Sequence, residues 1–129
     1  MKQFKILLFA SLLTFAFNAC HDHDSDDTTA PEITLEGPTS ADVISGAVRI
    51  HGHVTDESLH EMSIVVTKDA GATEVFKATP TVHDETDYHF DESFTPSGLT
   101  GEIPLTLTIT VEDHGGNSNV KTVVFKVKP

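Results

Sequence analysis

The chain has 129 residues, with eight basic and twenty acidic side chains, a formal net charge of −12 and a single cysteine. That balance repels nucleic acid and anionic lipid and favours cations. A chain of this length builds one core rather than two, and one cysteine leaves no intrachain disulfide to staple it.

Lys2 and Lys5 precede an apolar run from Ile6 to Phe17, the layout of a secretory signal and too short to span a bilayer. Phe17-Asn18-Ala19-Cys20 resembles a bacterial lipobox, in which a small residue permits cleavage and the following cysteine receives a diacylglyceryl group. Residues 1–19 are therefore expected to be removed, and Cys20 to carry the lipid that is the only membrane anchor. The mature chain would be 110 residues; Lys2 and Lys5 leave with the signal, so six basic residues face twenty acidic ones at a balance of −14.

Residues 20–31 read as a disordered acidic tether, because His21-Asp22-His23-Asp24-Ser25-Asp26-Asp27 has no apolar periodicity. The acidic residues just behind the cysteine resemble the export signal that sends lipoproteins of Bacteroidota to the outer face of the outer membrane. A leash is favoured over a metal site here, since a short floppy tract binds an ion weakly.

From Glu32 on, short strands rich in threonine, valine and isoleucine are predicted near 32–36, 47–55, 61–68, 73–78, 87–94, 103–112 and 119–128. Gly37-Pro38, Asp69-Ala70-Gly71, Pro96-Ser97-Gly98 and Gly115-Gly116-Asn117 break the runs. Seven strands in one domain, 32–129, with no helical period, indicate an all-β, immunoglobulin-like β-sandwich without a disulfide. Alternation turns Val48, Ile50 and Val54 inward, with Met62, Ile64, Val66, Tyr88, Phe90, Phe94, Leu105, Leu107, Ile109 and Val111. Gly52 falls on the same inward side, where a missing side chain marks a bulge or a close approach.

Two stretches carry a family likeness. His51-Gly52-His53-Val54-Thr55-Asp56-Glu57-Ser58-Leu59 resembles the passage between the second and third strands of bacterial Ig-like domains, and Asp113-His114-Gly115-Gly116-Asn117 resembles the turn into their last strand. Behind a lipoprotein signal, this histidine-rich pattern is similar to a family of Bacteroidota lipoproteins known only as a domain of unknown function. The resemblance implies the sandwich fold and lends no reaction.

The eight histidines are the sharpest functional clue. In the immunoglobulin order the first, second, fourth and fifth strands share a sheet, with the second beside the fifth. Outward His51 and His53 would then face outward Asp87, His89 and Asp91, close enough across the strands to share one ion. His51, His53 and His89 with Asp91 or Asp87 would make a zinc site, copper or nickel being chemically acceptable. The alternative is a solvated polar face.

A second constellation gathers where the connections after the second, fourth and sixth strands meet the N-terminal leash. It holds Asp56, Glu57 and His60, then His83, Asp84 and Glu85, then Glu112, Asp113, His114 and Asn117. Converging carboxylates suit calcium, with Asp56, Glu57, His83, Asp113 and His114 as the cation cluster, although no ordered calcium-loop spacing is present and a solubilising acidic rim explains the same residues.

No Gly-x-Ser-x-Gly elbow, phosphate loop or His-Glu-x-x-His occurs, and a small sandwich offers little depth for a substrate pocket. The expectation is a lipid-anchored outer-membrane module, not an enzyme. It would meet an unidentified protein or glycan, or alternatively hold zinc or copper.

Overall fold

The computed structural model describes residues 27–129; the expected signal, Cys20 and the expected tether up to residue 26 lie outside them. The strands are β1 (Glu32–Gly37), β2 (Val43–Ser45), β3 (Val48–Thr55), β4 (Leu59–Lys68), β5 (Thr73–Ala78), β6 (Asp87–Phe94), β7 (Ile103–Asp113) and β8 (Ser118–Lys128). They form two facing sheets, one in the order β1-β3-β6 and the other β2-β8-β7-β4-β5. This is an all-β, immunoglobulin-like sandwich with no disulfide.

The period-two pattern decides which side chains meet between the sheets. Val48, Ile50 and Val54 of β3 are fully buried against Ile64 and Val66 of β4, Leu107, Ile109 and Val111 of β7, and Phe125 of β8. Burying each such side chain contributes about 1.5–3 kcal/mol, and the layers need no cross-link. Among the described residues, no helix is long and apolar enough to cross a membrane.

Gly52 shows why alternation has a gap in β3. A Cβ there would stand 2.8 Å from Phe90 Cζ and 3.1 Å from Leu35 Cα, and would run into the Thr34 carbonyl oxygen. The absent side chain lets β1 and the Phe90 ring close over β3.

Two elements differ from the sequence reading. Residues 73–78, expected beside β6 as the fourth strand of the smaller sheet, pair instead with β4 in the five-stranded sheet. The physical reason is the connection: a single 3-10 turn, Asp69–Gly71, separates β4 from β5. So short a link returns the chain antiparallel beside the strand it left and cannot cross to the other sheet. Phe76 then reaches over the sandwich edge and stacks on Phe94, ring centroids 4.9 Å apart and planes 16° apart. The smaller sheet consequently ends at β6. The second difference is β2, three residues parallel to β8, too short to show any alternation, which brings the strands among the described residues to eight.

The end of the expected tether is held by the domain. Asn117 Nδ2 donates to the Asp27 carbonyl at 2.8 Å, and Asn119 Nδ2 donates to the Pro31 carbonyl at 2.9 Å. The described chain thus begins on the β7–β8 turn.

Candidate metal centre

Three connections meet at that same end: β3–β4, β5–β6 and β7–β8. Backbone hydrogen bonds tie them together. Asp56 N donates to Thr86 O at 3.0 Å, Leu59 N to Glu85 O at 3.0 Å, Asp84 N to Leu59 O at 2.9 Å and His114 N to Ser58 O at 3.0 Å. Val82, 1% exposed, pins the β5–β6 connection into the core. The end of the sandwich is therefore built before any ion arrives.

His83 and His114 lie on two of these connections, and His60 on β4 just after the third. His60 is the extra residue of a β-bulge: Leu59 pairs with Asp113 and Glu61 with Glu112, leaving His60 without a partner. A bulge of this kind re-aims a side chain, while both Leu59 and Met62 stay buried on either side. His83 precedes Asp84, whose φ of 66° turns the connection sharply; aspartate is among the few residue types that tolerate that region. His114 follows Asp113, which locks its own turn. Asp113 is 1% exposed and its carboxylate accepts from Asn117 N at 2.8 Å and Asn117 Nδ2 at 2.8 Å. Burial pushes the Asp113 carboxyl up, but these bonds and those from the Gly115 and Gly116 backbone outweigh it and hold it below its ordinary value.

The rings converge. Centroids lie 4.5 Å apart for His60–His114, 4.5 Å for His83–His114 and 5.3 Å for His60–His83, and one ligand nitrogen from each lies within 4.8 Å of the others. The Asp84 carboxylate bridges two of them, with Oδ2 2.9 Å from His83 Nδ1 and Oδ1 3.0 Å from His114 Nε2. The hydrogen bond from His83 lowers the Asp84 carboxyl most; partial dehydration opposes this, and the His83 charge and the His114 bond add to it. His60 Nδ1 is buried with no hydrogen-bond partner, as are Nδ1 of His51 and of His53 on the sheet face. An open cleft of about 390 Å³ adjoins the cluster, lined by His60, Ser63, Thr79, Val82, His83 and Glu112 among others. Three converging imidazoles form a donor set suited to zinc or copper(II), with the Asp84 carboxylate beside two of them.

The sheet-face residues are placed differently. His53 lies opposite His89 and His51 opposite Asp91, the register expected from the sequence. The His53 and His89 rings come within 5.3 Å. Asp91, however, is engaged by Arg49 through two bonds of 2.7 Å, Nε to Oδ1 and a terminal guanidinium nitrogen to Oδ2. The Arg49 hydrogen bond is the main reason the Asp91 carboxyl sits below its ordinary value. His51 packs its ring over Gly37, where a Cβ would stand 2.8 Å from its Cε1, and its Nε2 lies 3.8 Å from Glu36 Oε2. Asp87 Oδ1 lies 3.6 Å from His89 Nε2. Among the described residues, the sets of three or more ligand side chains that converge within 4.8 Å are His60–His83–His114 and Asp27–Asp56–Asp113; the sheet-face set is not one of them.

The cation cluster expected at the loop end divides into those two groups. His83 and His114 join His60, while Asp56 and Asp113 join Asp27 and Glu57 stays exposed on the rim. The carboxylates are occupied locally: Asp56 Oδ1 accepts from Ser58 N at 2.8 Å, and both Asp113 oxygens serve the turn. His60 and Asp84 stood in the sequence among the loop-end residues without a ligand role. The bulge that aims His60 leaves no compositional trace. Compared with known proteins, the chain matches no family model and no curated protein.

Proposed function

We propose that this chain is a transition-metal-binding module of the bacterial cell envelope, tethered by lipid at Cys20 and holding its ion among His60, His83 and His114. The observation that carries the reading is the convergence within 4.8 Å of three imidazoles, one from the start of β4 and two from the β5–β6 and β7–β8 connections. Connections otherwise far apart in sequence have no packing need to bring histidines together, and clustered imidazoles repel one another once protonated. The envelope location rests on the signal-like start, on Cys20 and on the likeness to histidine-rich Bacteroidota lipoproteins. The reading is of a binding protein, not an enzyme.

The test is calorimetric titration of zinc, then copper(II), into the metal-free mature chain carrying Cys20→Ser. One-to-one binding that disappears in His60→Ala and His114→Ala supports the reading. Binding that survives both removes it.

A second reading, a lipid-anchored interaction module meeting a protein or glycan, is favoured by the outer face of the five-stranded sheet. Val120 and Val124 are 55% and 50% exposed there, opposite Thr110 and Thr106 of β7. Two exposed valines among threonines on so acidic a chain are a place for a partner to dock. Val120→Lys with Val124→Lys would abolish such capture and leave metal binding intact.

A further inference from the structure

We infer that Asp84 is the fourth ligand of the centre, so that the ion sits in a closed three-nitrogen, one-oxygen shell with no position left for water or substrate. This rests on the trihistidine reading and specifies its coordination.

The geometry argues for it in three ways. First, the Asp84 oxygens stand 2.9 Å from His83 Nδ1 and 3.0 Å from His114 Nε2. Ligand atoms around a tetrahedral zinc with bonds of about 2.0–2.1 Å are themselves roughly 3.3 Å apart, so Asp84 already stands near shell spacing from His83 and His114; the set that converges within 4.8 Å holds the three imidazoles without Asp84, and the carboxylate closes on His60 as the ion binds. Second, the carboxylate straddles two imidazoles, giving one oxygen to each, which places it in the gap between them and not behind one ring. Third, its position is imposed by the backbone. Asp84 has φ 66°, and its N–H is tied to the Leu59 carbonyl at 2.9 Å, one residue before His60. The strand that presents the first imidazole thus also anchors the carboxylate.

Without metal, protons at His83 Nδ1 and His114 Nε2 fill the space between nitrogen and oxygen. Zinc would take that space, with each imidazole bound as a neutral ligand through that nitrogen and carrying its one hydrogen on the other ring nitrogen. His60 completes the set through one of its ring nitrogens. A shell filled this way holds and releases an ion; it does not activate water, which needs an open position.

Cobalt(II), which takes up zinc sites and reports its coordination number in visible absorption, tests this on the mature chain carrying Cys20→Ser. Wild-type protein should give the intense spectrum of four-coordinate cobalt, unchanged by azide. Asp84→Asn and Asp84→Gly should bind at least about 100-fold more weakly, with spectra that respond to azide. Both residues tolerate a positive φ, so circular dichroism of the variants should stay native. A wild-type spectrum that shifts with azide, or variants that bind zinc as tightly as wild type, overturns the assignment of Asp84 while leaving the three histidines in place. Absence of one-to-one binding in wild type overturns the centre itself, and the inference with it.

Discussion

The His60 and His114 imidazoles approach to 4.5 Å between centroids, although one belongs to the start of β4 and the other to the turn that leaves β7. Their strands are direct neighbours in the five-stranded sheet, and the bulge at His60 swings its ring toward that turn. The backbone bond from His114 N to Ser58 O fixes the separation. Two histidines held this way, with a third from across the sandwich end, set the expectations that follow.

Removing ligands should separate the two histidine groups. His60→Ala, His83→Ala or His114→Ala should each abolish tight zinc binding, read by titration calorimetry. His51→Ala and Asp91→Asn should leave affinity unchanged, because Asp91 is engaged by Arg49. A loss of affinity in His51→Ala would relocate the site to the β3–β6 face.

Zinc should raise thermal stability through preferential binding to the folded chain. At a free concentration of 100 times Kd the gain is about 2.7 kcal/mol, a midpoint shift of roughly 10–20 °C for a domain of this size. The shift should vanish in His60→Ala. It should also fade as pH drops through the histidine range, since protonated imidazole cannot coordinate. Differential scanning fluorimetry across pH reads both effects.

Asp113 governs acid stability. Its carboxyl lies below the ordinary value in the fold, so its contribution is fully present above the unfolded-state value of about 3.9 and is lost as pH falls through the lower folded value. Asp113→Ala leaves Asn117 N without its side-chain acceptor and Asn117 Nδ2 with the Asp27 carbonyl alone, and should cost about 1–3 kcal/mol at neutral pH. Urea melts of the variant should also show a flatter dependence on pH below 5 than those of wild type.

Gly52→Ala tests the close approach inside the smaller sheet. The added methyl meets backbone of β1 and the Phe90 ring, neither of which can retreat cheaply, so a loss of about 3 kcal/mol is expected. A neutral result in chemical denaturation would mean that β1 can shift outward without cost.

Much of the fold is legible in the sequence because sandwiches are written in period two. Val48, Ile50 and Val54 alternate with polar residues, as do Leu105 to Val111, and all of these inward positions are buried. The facing of β3 and β6 could also be read: outward His51 and His53 lie opposite Asp91 and His89. What alternation could not give was sheet membership, which for β5 is decided by one tight turn. Nor could it show which histidines converge. That depends on a bulge at His60, a left-handed aspartate at position 84 and an asparagine-locked turn, all local departures from regular geometry. Sequence spacing favoured His51 and His53 because regular strands are easy to extrapolate; the imidazoles that meet are those on irregular backbone.

Asn117 and Asn119 hold the start of the described chain against the turn that bears His114. With the proposed anchor at Cys20, only seven residue steps separate the lipid from Asp27, a reach of at most about 25 Å when fully extended. The domain would therefore hang with its histidines turned back toward the bilayer, and its opposite pole, around Ser97 and Gly98, facing away. An ion would be loaded or surrendered in the thin layer beside the headgroups, within arm's length of proteins embedded in the same membrane.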